Sequence, residues 1–244
     1  MKFIQLIQVL FIIIALNAFI PTSSEAATHY PLQMKYPNIM LYKADTNKKI
    51  IALTFDDGPD DRFTPQILNV LKKHNVKATF FFLGTRIHKY PDIAKKVHED
   101  GHVIGNHTYW HPELTKTGVN NMVWEIEKNE KEIQNVLQIK TKLFRAPYGA
   151  LNEDHVKKLG EMGYRGIGWS IDTEDWRNLS AKEIKQSIIN GLHPGAIVLM
   201  HSAGHWTQNL SGTAEALDEV IPLLKKKGYM FVTIPEMFSD DMLK

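Results

Sequence analysis

Two adjacent carboxylates, Asp56 and Asp57, follow a short apolar run and stand directly before Gly58-Pro59. An Asp-Gly-Pro segment is also ordinary turn chemistry, so a purely structural role is a fair alternative when the segment is taken alone. Two acids at the exit of a buried strand need a further explanation, because a buried carboxylate must be offset by a cation or by hydrogen bonds. The pair therefore requires a partner elsewhere in the chain.

His107 and His111 are candidate partners, because two histidines four residues apart can converge on one ion if the segment forms a helical turn. The spacing alone is weak evidence, but both this pair and the two carboxylates follow predicted strands. With one aspartate they form a set of neutral imidazole and carboxylate ligands. Such a set suits zinc or a similar divalent ion with one position left open for water.

Three further predicted strands end in chemistry-bearing residues: Arg145 to Tyr148, Asp172 to Trp176, and Leu199 to His201. Taken singly, Arg145 is explained as a surface cation, Trp176 as a packing residue and His201 as a core histidine. Taken together, five strand ends that carry titratable or aromatic residues are typical of an active site at one end of a barrel.

Short apolar runs and amphipathic stretches alternate along the chain and supply the elements that would position these residues. Thr64 precedes Pro65 as a predicted helix N-cap, and Ser180 with Glu183 forms a predicted capping box. Gly101, Gly163 and Gly228 stand where helices should end. The predicted strands are Ile50 to Phe55, Ala78 to Leu83, His102 to Asn106, Leu143 to Arg145, Gly166 to Ile171, Ala196 to Met200 and Met230 to Ile234. This alternation predicts one α/β domain, with about seven parallel strands closed into a barrel.

Composition narrows the function further. The 244 residues are 43% hydrophobic, and 29 basic against 27 acidic residues give a formal charge of +2. This charge provides no broad basic field, so nucleic acid is not an expected partner. The chain has no cysteine, which excludes disulfides, thiol catalysis and cysteine-ligated metal sites. Any metal must therefore lie on His, Asp or Glu.

The N-terminus predicts an extracytoplasmic protein. Lys2 is followed by an apolar run that Pro21 ends, and Ser24-Glu25-Ala26 offers the small residues that a signal peptidase reads. Residues 1–26 are expected to be a signal peptide cleaved after Ala26, or alternatively a membrane anchor. Residues 27–48 would then be a linker or N-terminal extension, and residues 49–240 the catalytic domain.

These five motifs, in this order, resemble those of the polysaccharide deacetylase family, carbohydrate esterase family 4, with its NodB-type domain. The quoted segments are Thr54 to Pro59, His107 to His111, Arg145 to Tyr148, Asp172 to Trp176 and Leu199 to His201. The resemblance spans residues 49–236. It implies a distorted (β/α) barrel and metal-dependent removal of N-acetyl groups from a glycan.

The resemblance also implies a role for each matching residue. Asp56 would be the general base, and one divalent ion, zinc with cobalt or nickel as substitutes, would be held by Asp57, His107 and His111. The acid would be His201. The supporting residues would be Arg145, which orients Asp56; Asp175, which tunes His201; the Tyr148 N–H, an oxyanion donor; and Trp176 with Leu199, the wall of the acetyl pocket.

One departure concerns Ser202, because many family members carry Asp after the histidine of the fifth motif. His201 and Leu199 stay in place, so catalysis is still expected. The nearby His205 and Trp206 are candidates to line the substrate groove.

The expected substrate is the N-acetylglucosamine of peptidoglycan, and the expected protein is a monomer that is secreted or associated with the wall or outer membrane surface. Chitin-like oligomers or another wall polysaccharide are alternative substrates. A wall-binding or structural protein that kept the fold and lost turnover is an alternative of a different class.

Overall fold

The structure is a computed structural model that describes residues 26–239. Its strands form one sheet in the order β1-β6-β5-β4-β3-β2-β8-β7, with β9 paired to β2, and the strand pairs are parallel. The strands are β1 (Met40–Leu41), β2 (Ile50–Asp56), β3 (Thr79–Phe82), β4 (Val103–Asn106), β5 (Leu143–Phe144), β6 (Arg165–Ile167), β7 (Ile171–Asp172), β8 (Ala196–His201) and β9 (Met230–Phe231). The sheet curls into an open half-barrel with helices around it. This confirms the predicted distorted barrel.

Helices cover the outside of the sheet. They are α1 (Ala26–Lys35), α2 (Thr64–Lys73), α3 (Gly84–Lys89), α4 (Pro91–Glu99), α5 (Leu114–Thr117), α6 (Val119–Leu137), α7 (Glu153–Glu161), α8 (Ala181–Asn190), α9 (Ser211–Lys226) and α10 (Ile234–Met237), with 3₁₀ turns η1 (Pro147–Gly149) and η2 (Asp175–Arg177). The Ser180–Glu183 capping box begins α8 as predicted. Gly101, Gly163 and Gly228 adopt positive φ just after α4, α7 and α9, so the predicted helix ends are confirmed.

The start of α2 differs from the prediction. Thr64 is the first residue of the helix rather than its N-cap, and Phe63 precedes it without a side-chain cap. The carboxylate of Asp60 instead accepts hydrogen bonds from the backbone N–H groups of Phe63 at 2.7 Å and Thr64 at 3.3 Å. The capping acceptor therefore comes from the loop after β2, because the chain bends back on itself there.

Two strands also differ from the prediction. The run from Gly166 to Ile171 divides into β6 and β7, because the backbone of Gly168 lies against the Tyr42 ring and Ser170 already hydrogen-bonds across to Ile197. β1 was not predicted, since two residues carry no periodicity. It lies within residues 27–48, the predicted linker or extension, and pairs with β6.

The alternation of β2 sets the direction of the first carboxylate. Every residue of β2 is buried, and Ile51, Leu53 and Phe55 pack in the cluster that includes α2 and α9. Ile50 and Ala52 face the opposite cluster. Because side chains alternate along a strand, Asp56 points to the same side as Ile50 and Ala52. The strand therefore delivers Asp56 to the interior of the half-barrel at its carboxyl end.

No helix within residues 26–239 is both long and apolar enough to cross a membrane. The predicted signal peptide or anchor lies outside the described residues, except for Ala26 at the start of α1.

Candidate active site

The five motifs meet at one edge of the sheet. They follow the carboxyl ends of β2, β4, β5, β7 and β8, and parallel strands bring these ends to the same edge. Asp56 and His201 are direct partners in the register of β2 and β8. The structure therefore brings together the ten residues that the sequence singled out, although they are spread over more than 140 positions of the chain.

Arg145 is the buried counter-ion of Asp56. Its side chain is 1% exposed, so the alternative explanation as a surface cation is wrong. The guanidinium donates at 2.8 Å to Asp56 Oδ1 and at 2.8 Å to the Thr54 hydroxyl, and at 3.0 Å to each of the Ile167 and Gly168 carbonyls. These four acceptors fix the fork in place, and the fork in turn fixes the Asp56 carboxylate.

Asp57, His107 and His111 converge on one point. Asp57 Oδ1 lies 3.4 Å from His107 Nε2 and 3.3 Å from His111 Nε2, and all three donor atoms lie within 4.8 Å of one another. Asp57 Oδ1 is buried and accepts no hydrogen bond. A buried carboxylate oxygen without a partner is costly, and a divalent cation between these atoms would satisfy it. The residues present therefore fit a divalent metal.

The tautomer of His107 supports the same conclusion. Its Nδ1 lies 2.8 Å from the Arg145 carbonyl, which can only accept, so Nδ1 carries the proton. Nε2 is then the ring nitrogen that faces the Asp57 carboxylate. Burial alone would lower the pKa of His107, but Asp56 and Asp57 raise it, so these carboxylates favour a cation, either a proton or a metal ion, at Nε2. A hydrogen bond from the other ring nitrogen is what usually orients a metal-binding imidazole.

Electrostatics prepare two of the candidate ligands. Burial alone would raise the pKa of Asp57, but the neighbouring His107, with His111 and His201, holds it well below its usual range. Burial lowers the pKa of His111 to about 4. Asp57 is therefore ionised and His111 neutral near pH 7, which are the protonation states that metal ligation requires.

The segment from His107 to His111 is not the predicted helical turn. It has no regular secondary structure, and Thr108 (φ 70°) and His111 (φ 66°) lie in the left-handed region. Local side chains stabilise this shape: Asn106 Oδ1 accepts from the Thr108 N–H at 3.0 Å, and the Thr108 hydroxyl oxygen accepts from the His111 N–H at 3.0 Å. The histidines converge because the loop folds back, and not because they share a helix face.

Two residues of α6 that were not predicted from the sequence hold this loop. Glu125 Oε2 accepts from the Tyr109 and Trp110 N–H groups, both at 2.8 Å, although Glu125 is only 3% exposed. Asn129, fully buried, donates to the Thr108 carbonyl at 2.9 Å. A sequence signal existed: these polar residues are four apart on a helix face whose other buried members are mainly apolar.

His201 is held by a buried carboxylate. Asp175 Oδ1 lies 2.7 Å from His201 Nδ1, and Oδ2 accepts from the His201 N–H at 2.9 Å and from the Thr213 hydroxyl at 2.7 Å. Burial alone would lower the pKa of His201, but Asp175, aided by Asp57 and Asp56, raises it to about 10 in the metal-free protein. His201 is therefore a cation at neutral pH, with Nε2 free of this pairing.

The remaining predicted residues surround this centre. The Tyr148 ring packs edge-on against His111, with 4.7 Å between the ring centroids, and Tyr148 itself lies in the left-handed region at φ 59°. Leu199 is buried on β8, whereas Trp176 is 46% exposed in η2. Their role as a wall of the acetyl pocket stays a prediction.

Ser202 supports Asp56 from behind. Both its N–H and its hydroxyl donate to the Asp56 carbonyl, at 2.9 and 3.3 Å, and its side chain is buried against Gly58. Ser202, which stands where many family members have Asp, therefore supports the backbone at the end of β2.

The chain was also compared with known proteins. The family model described as polysaccharide deacetylase matches residues 43–167. The chain is 46% identical over 195 residues to a peptidoglycan-N-acetylglucosamine deacetylase of Bacillus cereus, covering 79% of this chain and 70% of that protein. It is 40% identical over 220 residues to the peptidoglycan-N-acetylglucosamine deacetylase PgdA of Listeria monocytogenes, covering 90% of this chain and 45% of that longer protein.

Among solved structures, the Bc1960 peptidoglycan N-acetylglucosamine deacetylase superposes with a TM-score of 0.82 at 42% identity. The superposition covers 85% of this chain and 97% of that one. This chain belongs to the polysaccharide deacetylase family, carbohydrate esterase family 4, a family of hydrolases.

Proposed function

We propose that this protein hydrolyses the N-acetyl amide of N-acetylglucosamine in peptidoglycan, releasing acetate and leaving a free amino sugar. The observation that carries the proposal is the unsatisfied Asp57 Oδ1 between two imidazole nitrogens, beside an Asp56–Arg145 pair and an Asp175–His201 pair. The names of the relatives indicate the substrate class.

Asp57, His107 and His111 would hold one divalent ion, which we propose to be zinc, with cobalt or nickel able to substitute. When bound, such an ion polarises the acetyl carbonyl and makes a nearby water more acidic. Three protein ligands leave a position open, which distinguishes a catalytic site from a structural one.

Asp56 acts as the general base. Its Oδ1 is occupied by the Arg145 guanidinium at 2.8 Å, while Oδ2 lies 3.7 Å from His107 Nε2 and faces the three ligands. Oδ2 is therefore the atom that takes the proton of the attacking water. Arg145 holds the carboxylate in a fixed orientation, because its guanidinium makes three further hydrogen bonds to buried groups.

His201 acts as the general acid. Its Nδ1 is bound to Asp175, so Nε2 carries the proton that passes to the leaving amine of the sugar. The Tyr148 N–H stabilises the negative charge that develops on the acetyl oxygen; losing one such donor typically costs about 3 to 4 kcal/mol of barrier. Trp176 and Leu199 enclose the acetyl methyl group.

We also propose that the protein acts outside the cytoplasm as a monomer. Residues 1–26 would be removed as a signal peptide or would stay as a membrane anchor. Chitin-like oligomers remain an alternative substrate, since they carry the same acetamido group. The paired acid and base argue against a wall-binding protein without turnover, because binding alone needs neither a buried Asp56–Arg145 pair nor a protonated His201.

Acetate release from isolated peptidoglycan and from chitin oligomers, with added zinc or cobalt, tests the proposal. We expect release from peptidoglycan, and we expect Asp56→Asn to bind the metal normally while losing most of the turnover. Failure of the wild-type protein to release acetate from either substrate would overturn the assignment. Near-normal release by Asp56→Asn would overturn the role of the base.

A further inference from the structure

Trp206 lies on the loop that follows β8 and is the most exposed tryptophan of the described chain. Its side chain is 80% exposed, and its neighbours His205 and Thr207 are also exposed. Indole is a large apolar surface, and leaving it in water forgoes the stabilisation that burial would give. An exposed indole on a loop that starts at the candidate acid His201 therefore needs a reason.

Arg62, which lies between β2 and α2, holds the backbone of this loop. Arg62 donates from its two terminal nitrogens to the carbonyls of Gly204, His205, Trp206 and Gln208, at 3.0 to 3.4 Å. A second arginine, Arg86 of α3, donates to the Gly204 carbonyl at 3.0 Å. Two guanidinium groups thus fix the backbone of an exposed tip.

Arg62 is itself fixed by the loop that leaves the candidate base. Its Nε lies 3.3 Å from Asp60 Oδ2, and Asp60 is fully buried. The guanidinium also lies 4.6 Å from the centre of the Phe63 ring. Asp60 is only four residues after Asp56. The Trp206 loop is therefore connected, through Arg62 and Asp60, to the end of β2.

The same loop is joined to the acetyl-pocket side of the site. Gln208 donates from Nε2 to the Trp176 carbonyl at 2.7 Å, and the Asn209 N–H donates to Asn178 Oδ1 at 2.8 Å. Trp176 directly follows Asp175, the partner of His201. Trp206 and Trp176 are therefore carried by neighbouring loops that are tied together beside the acid.

We propose that Trp206 binds the glycan strand by stacking on a sugar outside the acetyl pocket. The inference rests on the proposed function and names a further substrate-binding residue for it. The axial C–H face of a β-linked pyranose is apolar, whereas its edge carries hydroxyls. An exposed indole that is flanked in the sequence by the polar residues His205, Thr207 and Gln208 suits that pattern. A preformed loop reduces the entropy lost when the strand binds.

The test compares β-1,4-linked N-acetylglucosamine oligomers of two and five sugars. In Trp206→Ala we expect KM for the pentamer to rise about 3- to 10-fold with little change in kcat, the size of an aromatic stacking contribution. KM for the disaccharide, which reaches fewer binding positions, should rise less, so the preference of the enzyme for the pentamer should fall. Trp206→Phe should retain most of this preference.

Arg62→Met tests the clamp. It should reduce the preference for the pentamer as Trp206→Ala does. The Arg62→Met/Trp206→Ala double variant should lose no more of this preference than the more affected single variant, because both changes act on one contact. Met230→Ala is the control. Met230 is also exposed but pairs with Ile50, at the opposite end of β2 from Asp56, and its preference should be that of the wild type.

An unchanged pentamer KM in Trp206→Ala, or equal losses on dimer and pentamer, would overturn the proposal. If the wild-type protein released no acetate, the proposed function would fail separately. Calorimetric binding of the pentamer to zinc-loaded Asp56→Asn, with and without Trp206→Ala, would then still decide it: equal affinities overturn the stacking, and about 3- to 10-fold weaker binding supports it.

Discussion

Two imidazoles of the site each have one ring nitrogen bound to the protein, which leaves the other for chemistry. His107 uses Nδ1 on the Arg145 carbonyl, a neutral acceptor, whereas His201 uses Nδ1 on the Asp175 carboxylate. His107 Nε2 faces the Asp57 carboxylate, where we propose that a metal binds, and the Asp175 carboxylate favours a proton on His201 Nε2. At the scale of residues, the partner of each histidine decides its role.

Removing one ligand of the triad should abolish the metal site. In Asp57→Ala, His107→Ala or His111→Ala we expect zinc affinity to fall by at least about 100-fold, because two ligands cannot hold the open tetrahedral geometry. Elemental analysis after dialysis measures this, with the exposed His88→Ala as the control that keeps one zinc. One tightly held zinc in a His107/His111 double alanine variant would contradict the assignment.

The pH dependence of kcat/KM should reveal His201. The Asp175 carboxylate raises the pKa of His201, which keeps the acid protonated at neutral pH, and activity is lost as pH rises through the pKa that His201 has in the metal-loaded protein. Asp175→Asn removes the charge that raises it, so the alkaline limb should move to lower pH by about 1 to 3 units. A pH profile with a soluble N-acetylated oligosaccharide measures the shift.

Thr213→Val is the matched control for this prediction. It removes one hydrogen bond from Asp175 but leaves the carboxylate beside His201, so its alkaline limb should stay near that of the wild type. An alkaline limb that does not move in Asp175→Asn would show that His201 is not the acid.

At the scale of elements, α6 acts as a support for the metal-binding loop. The loop from His107 to His111 has no regular secondary structure, and the backbone donors of Tyr109 and Trp110 depend on an acceptor from outside the loop. Glu125 supplies one carboxylate oxygen to two of them. A buried carboxylate oxygen that accepts from two backbone N–H groups orients the loop that carries the proposed metal ligands.

Glu125→Ala should therefore weaken zinc binding about 10- to 100-fold, the usual effect of losing a residue that supports metal ligands. Glu125→Gln keeps a carbonyl acceptor and should recover much of the affinity. Calorimetry measures zinc binding, and circular dichroism confirms folding. Glu127→Ala, exposed on the same helix, is the control. Wild-type affinity in Glu125→Ala would refute the support role.

At the scale of the whole molecule, the metal site joins the carboxyl ends of two strands. Asp57 follows β2 and the two histidines follow β4, with β3 between them. A ligand that binds only the folded arrangement stabilises the whole domain by mass action. We therefore expect metal binding at the proposed site to be linked to global stability.

Free zinc at 100 times its Kd should add about 2.7 kcal/mol to the free energy of unfolding. For a domain of this size, that corresponds to a rise in Tm of about 5 to 11 °C. Calorimetric melting of chelator-treated protein, with and without zinc, measures the rise, and His107→Ala should abolish it. An unchanged Tm with saturating zinc would contradict the linkage.

The residues of the candidate site and the strands that carry them could be predicted from the sequence. Each motif stands directly after an apolar run, and the carboxyl ends of parallel strands lie at one edge of a sheet. Asp56, His107 and His201 could therefore be predicted to lie together. The Ser180–Glu183 box was equally readable, since its two partners are three residues apart. These features depend on local order along the chain.

How the site residues are held could not be predicted from the sequence. The loop from His107 to His111 takes its shape from Glu125 and Asn129 of α6, and Arg62 reaches more than 140 residues along the chain to the Trp206 loop. Each interaction joins backbone groups to side chains that no periodicity relates to them. Their energies are realised only when the sheet has curled, because until then the donor and the acceptor are not neighbours.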